Sequence, residues 1–246
     1  VFFDDSPFER ARVKEMLPEI MVPNLPSNPE DYPNFLSKLH CFDTAHISHE
    51  DKIRGELYKS EFKRKKLKQQ FKSLSEWIET LELKVTIENL KSENFPRTLQ
   101  LLNKTNQMNL ATRRLSEKEF NNWIKTSSSN LWTIRAKDKF GDYGIIGILS
   151  LSIKKNSAYL VDFILSCRVV GRNIEEIMIE FTKEYCRKNK IKNINGKFMK
   201  TEKNSLCFKF FNKLNLIDSK KHSFVIQSAQ NKFDFSNITV LKPSFR

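Results

Sequence analysis

The chain has 246 residues, of which 39% are hydrophobic and 29% charged, a composition typical of one large globular domain or two small ones. Its formal net charge of +14 favours an anionic partner, such as nucleic acid, coenzyme A or an acidic carrier protein. No apolar run reaches the ~18 residues that cross a bilayer, and no signal peptide is recognisable, so the sequence argues against a membrane protein.

The first part of the chain is predicted to alternate strands and helices. Residues 1–5 are typical of a strand that ends in two acids, and residues 8–16 of a helix that begins at Ser6-Pro7, a good cap before a good first residue. Residues 19–22 are predicted as a second short strand. Because the first residue already belongs to a strand pattern, we expect the chain to begin inside a fold.

A helical, basic connector is predicted for residues 46–82. One helix begins at Ser48 and carries a run of lysines and arginines, residues 59–72. A shorter helix begins near Ser73 and has a stripe of apolar side chains on one face. The basic run is interpreted either as a solvated helix face or as a docking surface for an acidic partner.

Residues 83–246 are predicted as a mixture of helices and strands, because segments with an alternating apolar pattern are interspersed with segments of helical periodicity. The predicted strands are residues 84–88, 131–136, 144–153, 158–165, 193–198 and 223–227. The predicted helices are residues 95–102, 117–124, 174–187 and 205–213.

The cysteines and histidines show no metal-binding pattern. None of the four cysteines has a partner at C-x-x-C spacing, and no histidine has a second ligand at a spacing typical of zinc. We therefore expect no zinc site, and reduced cysteines in a cytoplasmic setting.

A turn with two arginines and a glycine separates the strand of residues 158–165 from the helix that follows. The first N–H groups of a helix have no partner within it, and its dipole favours negative charge there, so this turn is suited to phosphate. Arg-x-x-Gly-x-Asn resembles the (Gln/Arg)-x-x-Gly-x-(Gly/Ala) signature of GNAT acyltransferases, whose loop holds the pyrophosphate of coenzyme A. The order of the predicted elements is also that of the GNAT fold. The candidate cofactor-binding residues of this loop are Arg168, Val169, Val170, Gly171, Arg172 and Asn173.

Several segments together resemble the carboxy-terminal portion of FkbH-like proteins, which fuse a haloacid-dehalogenase-type (HAD, subfamily IIIC) domain to a GNAT-like domain. These segments are residues 1–10, 17–19, 103–114, 140–144, 166–172 and 201–204. The resemblance implies an α/β (α+β) chain: residues 1–45 are the end of a HAD-type, Rossmann-like domain, and residues 83–246 are a GNAT-like mixed-sheet domain. It further implies transfer of a glyceryl unit from a phosphorylated three-carbon acyl donor, 1,3-bisphosphoglycerate, to the phosphopantetheine thiol of an acyl carrier protein.

Asp4 and Asp5 follow the first predicted strand, at the edge where open α/β sheets place their sites. Paired acids there match the fourth HAD motif, so the resemblance implies that they hold Mg²⁺ in a complete HAD domain. The alternative is a strand-to-helix turn with capping acids. The HAD nucleophile is not found in residues 1–45, which are therefore not expected to hydrolyse phosphate alone.

Residues 103–114 are rich in side-chain amides. Amides can bind the amide-bearing pantetheine chain through both donors and acceptors, and arginine can reach a phosphate with forked donors. The candidates are Asn106, Gln107, Asn109, Arg113 and Arg114, together with Asn204 from another matching segment. The alternative is a helix-terminal loop whose amides satisfy main-chain groups.

Two catalytic candidates lie near the loop. Cys167 precedes Arg168 at a helix start, a setting in which cysteine can act as a nucleophile, so a transient acyl thioester on Cys167 is a hypothesis. The alternative is a small buried residue that ends a strand. Asp162, in the preceding strand, is a candidate base.

Two departures from the GNAT pattern keep further functions open. Asn173 stands where glycine or alanine is usual and could crowd a pyrophosphate, and Phe211 stands where a tyrosine often serves as the acid for the leaving thiol. A non-catalytic docking module for an acidic carrier protein is therefore the second hypothesis. Nucleic-acid binding through the basic run is a third, but no recognisable motif supports it.

Overall fold

The computed structural model describes residues 1–43, 54–126, 129–214, 217–218, 223–229, 233 and 235–244. The chain divides into two compact units, Val1–Lys52 and Ile53–Arg246. The described helices of the predicted connector belong to the second unit, and the predicted helix start at Ser48 lies outside the described residues.

The first unit contains two described α-helices and extended segments. Helix α1, Pro7–Met16, begins as predicted, with the Ser6 hydroxyl accepting a hydrogen bond from the N–H of Glu9 at 3.4 Å. Helix α2 spans Tyr32–Ser37.

The strands predicted at residues 1–5 and 19–22 are wrong, because neither segment is a strand. The two segments do meet: the N–H of Phe2 donates to the carbonyl of Met21 at 2.9 Å. One such bond leaves the other main-chain groups of both segments outside a ladder, so it does not make a sheet.

The second unit is a mixed α/β domain built around one sheet. Among the described residues its strands follow the spatial order β7-β8-β6-β5-β4-β3-β1-β9, and β2 pairs with β5. Two neighbouring pairs are parallel, β5 with β6 and β1 with β9, and the others are antiparallel. The strands are β1 Lys84–Asn89, β2 Met108–Asn109, β3 Ser129–Asp138, β4 Gly141–Lys154, β5 Ser157–Leu165, β6 Asn193–Lys197, β7 Ile217–Asp218, β8 Ser223–Gln227 and β9 Thr239–Leu241.

Helices connect and cover these strands. The described helices of the second unit are α3 Arg54–Lys68, α4 Leu74–Thr80, α5 Phe95–Lys104, α6 Glu117–Ile124, α7 Ile174–Lys188 and α8 Ser205–Lys213. The type and order of the predicted elements from residue 83 onward are confirmed, with β2, β7 and β9 as additions. None of the described helices combines the length and apolar character that a bilayer span requires.

The apolar side chains of the second unit form two clusters. The larger one includes Trp77, Trp132, Phe163 and Phe211. The smaller one joins α5 and α6 to β4 and β5 through Leu101, Leu102, Phe120, Ile145, Ile148 and Ile164. Because most residues of β4 and β5 are buried, both strands carry the near-continuous apolar runs seen in the sequence.

Candidate functional site

The parallel strands β5 and β6 pair only along the first half of β5. The register joins Ser157–Leu160 to Asn193–Gly196 and then stops. At the same point β5 has a register shift against β4, between the pairs Ser150–Asp162 and Leu151–Leu160, which leaves Val161 unopposed. Beyond Val161, β5 is no longer paired with β6. We call the space between the second half of β5 and the residues that follow β6 the wedge.

The chain's own β2 fills the wedge. Met108 and Asn109 pair antiparallel with Leu165 and Ile164 of β5. The next residue, Leu110, bridges both sides: its N–H donates to the carbonyl of Phe163 at 3.1 Å, and its carbonyl accepts from the N–H of Met199 at 3.0 Å. An extended chain with amide groups is therefore already bound in this opening.

Asn204 holds this segment in place. Its side chain is fully buried and donates hydrogen bonds to the carbonyls of Asn109 at 3.1 Å and Met199 at 2.8 Å. Its oxygen accepts from the N–H of Thr201 at 2.8 Å. A side chain that joins three main-chain groups positions the segment, and its amide is fully engaged by the protein.

Other amides of residues 103–114 also bind the main chain. Asn103 and Leu115 exchange two hydrogen bonds, and Asn109 donates to the carbonyl of Thr105 and accepts from the N–H of Thr112. Arg114 donates to the carbonyl of Leu102 and to the side chain of Asn106. These contacts favour the second interpretation of residues 103–114, a helix-terminal loop whose amides satisfy main-chain groups.

Four of the predicted residues lie at one end of the β2–β5 pair. Because β2 runs antiparallel to β5, Asn106 and Gln107, which precede β2, lie at the same end of this pair as Cys167 and Arg168, which follow β5. Cys167 and Gln107 are exposed, and Arg168 is half-buried with its Nε 3.3 Å from the Ser166 hydroxyl. We call this edge the rim and define it as Asn106, Gln107, Cys167 and Arg168.

Two helices begin beside the rim. Helix α7 follows the loop that carries Arg168, and the first turn of α8 is attached to the rim because the N–H of Cys207 donates to the carbonyl of Gln107 at 3.3 Å. Exposed Lys200 and Lys203 precede α8. The start of α8 and these cations together favour a phosphate-bearing ligand.

The loop before α7 contains two residues in the left-handed region. Gly171 has φ 76° and Asn173 has φ 61°. Asn173 is the N-cap position, yet its side chain makes no cap hydrogen bond. Asparagine is among the few residues other than glycine that adopt this conformation readily, which explains how it can replace glycine here. Val169 is fully buried and faces the core, and Val170 packs against it.

Arg172 is buried within the protein, although the sequence analysis predicted it as a cofactor-binding residue. Its guanidinium donates to the hydroxyl of Tyr143 at 2.7 Å and to both oxygens of Glu61 at 3.0 and 3.1 Å. Only 4% of it is exposed. Arg172 therefore ties the loop to α3 and β4, and of the two motif arginines only Arg168 belongs to the rim.

Glu175 occupies the main-chain donor that a phosphate would use. Its Oε1 accepts the N–H of Gly171 at 2.7 Å, and its Oε2 is buried without a hydrogen-bond partner among the described residues. Burial raises the pKa of Glu175 to about 7, against the opposing hydrogen bond from Gly171. A buried acid from the first turn of α7 thus binds the main chain of the loop that precedes this helix.

Replacing Glu175 by glutamine is expected to stabilise the second unit at high pH. The pKa of Glu175 is raised on folding, so between its ordinary value of 4.5 and about 7 the folded state binds more protons than the unfolded state, and stability falls as pH rises. Above pH 7 the cost reaches about 3 kcal/mol, which Glu175→Gln removes. Urea unfolding at pH 5 and pH 8 should show the gain at pH 8 only. The exposed Glu79→Gln is the control, and an equal gain at both pH values would contradict the prediction.

Asp162 and Arg113 form a buried ion pair. Arg113 Nε and Nη2 donate to the two carboxylate oxygens at 3.0 and 2.5 Å, and the Ser150 hydroxyl donates to Oδ2 at 2.5 Å. The Arg113 guanidinium also lies 4.6 Å from the centre of the Trp123 ring. Asp162 is fully buried, so both residues, predicted as base and phosphate ligand, are engaged with each other.

Aromatic side chains line the region behind the wedge. Phe211 is fully buried, with its ring centre 5.2 Å from that of Phe163 and 4.8 Å from that of Phe224. Nearby, a β-carbon on Gly196 would lie 2.0 Å from the Phe224 ring, so only glycine fits there. Phe211 therefore contributes packing to this cluster.

Asp4 and Asp5 stand at the start of the first unit. The Asp4 carboxylate accepts the N–H of Ser6 at 2.9 Å, and the carbonyls of both acids accept from Arg10. Within the described part of the chain, no group of three or more His, Cys, Asp or Glu side chains could hold a metal ion. The residues present do not by themselves form a magnesium site, and Mg²⁺ stays a prediction for a complete HAD domain.

Solved structures with a similar backbone were found at low sequence identity. A domain from Methanocaldococcus jannaschii DSM 2661 is 12% identical, the match covering 59% of this chain and 99% of that one, with a TM-score of 0.46. The ribosomal-protein-S18-alanine N-acetyltransferase from Escherichia coli is 8% identical, with coverages of 61% and 98% and a TM-score of 0.43. The spermidine N-acetyltransferase from Vibrio cholerae, solved with CoA and spermine, is 13% identical, with coverages of 59% and 96% and a TM-score of 0.42.

At such identities the similarity concerns the fold, and it assigns no activity to this chain. Comparison of the sequence with protein families and with curated proteins gave no match.

Proposed function

We propose that this chain is part of an FkbH-like acyltransferase, and that its GNAT-like second unit receives the phosphopantetheine arm of an acyl carrier protein. The acyl unit would come from a phosphorylated three-carbon donor. The element order of the second unit supports the GNAT-like assignment, as does the end of the parallel β5–β6 pairing halfway along β5. A cytoplasmic setting and a HAD-type role for residues 1–45 belong to the same proposal.

The observation that carries the proposal is the rim. Arg168 and the start of α8 offer positive charge for the phosphate of the arm. The amides of Gln107 and Asn106 can bind the pantetheine amides, and the thiol of Cys167 is exposed next to Arg168. The phosphate and the amides of one ligand thus find matching groups along one edge.

Cys167 is the nucleophile that this arrangement offers. In the proposed step its thiolate attacks the carbonyl of the acyl phosphate, a thioester forms and phosphate leaves. The thiolate of phosphopantetheine then attacks that thioester, and the Cys167 thiolate is released. If Cys167→Ala retained full acyl transfer in the complete enzyme, the covalent step would be refuted while arm binding would remain.

Arm binding can be tested by calorimetry with the holo form and the apo form of an acyl carrier protein. We expect the holo form to bind more tightly, and Arg168→Ala to weaken the holo complex by at least roughly tenfold, because a hydrogen bond to a charged group is lost. The affinity for the apo form should not change. Lys118→Ala on α6 is the matched control. Absence of binding, or equal binding of both forms by the wild type, would refute the proposal.

A second candidate, a docking module without chemistry of its own, is favoured by the filled wedge. β2 occupies the opening between β5 and β6, and Phe211 supplies no proton. In this alternative the chemistry lies on another part of the enzyme. Turnover of any acyl-coenzyme A by the isolated chain would exclude it.

A further inference from the structure

Helix α3 has two faces of different character. On the inner face, Arg64 binds Asp138, Glu61 binds Arg172, and the Ser60 hydroxyl donates to the carbonyl of Phe140 at 3.1 Å. These contacts fix the helix to the β3–β4 turn and to the loop before α7. The arginine at the centre of the basic run is therefore internal and does not contribute to a basic surface.

The outer face of α3 presents two aromatic side chains to solvent. Tyr58 and Phe62 are each 71% exposed, although both residues are normally at least partly buried. They are four residues apart, so their rings lie side by side on one face of the helix. Three exposed lysines share this face, and we define the outer face as Tyr58, Lys59, Phe62, Lys63 and Lys66.

The charges of the outer face are unbalanced. Helix α3 contains two acids, and one of them, Glu61, is engaged by Arg172 and Arg64. The other, Glu56, lies one turn before the lysines. An apolar pair surrounded by lysines has the anatomy of a protein interface, in which buried aromatic anchors are surrounded by a charged rim.

We propose that the outer face of α3 docks the acidic surface of the carrier protein, with Tyr58 and Phe62 inserted between its carboxylates. This inference rests on the proposed function. Charge complementarity selects an acidic partner, and the net charge of +14 opposes pairing of two copies of this chain through the same face. The aromatic rings form one continuous strip along the helix, which favours a protein surface over the separated bases of a nucleic acid.

The outer face is also linked to the rim. Glu61, on the inner side of the same helix, holds Arg172, four residues after Arg168 in the loop. A carrier protein that docks on α3 therefore binds the helix that holds Arg172. Arg172 lies in the same loop as Arg168 of the rim. Docking and arm binding are separable contributions to one complex.

The test is the affinity of wild-type and variant chains for holo and apo acyl carrier protein. The double variant Tyr58→Ala/Phe62→Ala is expected to weaken both complexes by more than roughly thirtyfold, since exposed anchors are lost without loss of core packing. Lys59→Glu/Lys63→Glu should weaken both by roughly tenfold or more, and the loss should shrink at high salt. Phe8→Ala is the matched control, because Phe8 is also 71% exposed but lies in the first unit.

The outcomes separate the two proposals. If the carrier binds but both double variants bind it as the wild type does, the docking face is refuted and arm binding remains. If the wild type binds neither carrier form, the proposed function is refuted and this inference with it. If a 20-nucleotide single-stranded RNA binds and the carrier does not, with the same variants abolishing RNA binding, the face is a nucleic-acid surface and the inference is overturned.

Discussion

Replacing Arg64 by methionine is expected to lower the free energy of unfolding of the second unit by about 4 kcal/mol, the cost of breaking a buried ion pair. Arg64 is 2% exposed, and its Nε and Nη2 donate to the two oxygens of Asp138 at 2.7 and 2.8 Å. Its guanidinium also lies 4.1 Å from the centre of the Tyr143 ring. Methionine retains much of the volume but leaves the Asp138 carboxylate buried without its counter-ion.

The pH dependence identifies the cause of this loss. In the wild type the pKa of Asp138 is lowered overall: burial raises it, and the hydrogen bonds from Arg64 and Tyr143 outweigh burial. The pair therefore contributes stability above the ordinary pKa of aspartate, and this contribution is lost as pH falls through the lowered value. In Arg64→Met burial dominates, so the variant should lose less stability at pH 4 than at pH 7.

Urea unfolding at both pH values measures the effect. Lys65→Ala, one residue along and exposed, is the control and should change stability by less than about 0.5 kcal/mol. The double variant Arg64→Met/Asp138→Asn should be more stable than the sum of the single losses predicts, because neither charge is left unpaired. A loss for Arg64→Met that is small and independent of pH would contradict the assignment.

Replacing Asp162 by asparagine is expected to lower the free energy of unfolding by about 3 kcal/mol, toward the lower limit for a broken buried pair. The carboxylate is fully buried between Arg113 and the hydroxyl of Ser150. Arg113 is 21% exposed, so water can partly replace the lost carboxylate around its guanidinium. For a unit of this size the loss corresponds to a fall in Tm of about 6–12 °C.

Thermal unfolding and acyl transfer together decide the role of Asp162. A catalytic base would be revealed by Asp162→Asn losing transfer while retaining its Tm, whereas a structural pair lowers Tm. Asp142→Asn is the matched control, since Asp142 undergoes the same chemical change but is 55% exposed. Retention of both Tm and transfer by Asp162→Asn would contradict both roles.

The sequence predicted much of the second unit because its signals are local. The alternation in β1 placed Val85 and Ile87 in the core, and the helical period after Asn173 placed α7. The strands of the first unit failed because a short apolar run becomes a strand only if a partner ladder exists. Residue-level roles at the rim, in the wedge and at Asp4 and Asp5 remain predictions.

The partners of the buried and partly buried arginines could not be predicted from the sequence. Arg113 and Arg172 were predicted as ligands for an anion, and Arg64 lies at the centre of the basic run, but their partners lie 49, 111 and 74 residues away along the chain. No spacing in a single sequence reveals such pairs. A signal was present for Asp162, which lies in an apolar segment and therefore required a partner. Glu61 and Asp138 stand among charged residues and gave no such signal.

The sequence by itself determined the order of the main helices and strands of the second unit, the turn around Gly171 and the excess of positive charge, because each depends on neighbouring residues. Only the tertiary structure decided which of those charges face solvent. Burial removes Arg64 and Arg172 from the solvent-facing surface, while Tyr58 and Phe62 are exposed on it. It also decided that the wedge is filled, because Leu110 can bridge β5 and Met199 only after the sheet brings distant segments together. Burial and pairing between distant segments are properties of the folded chain, and periodicity does not encode them.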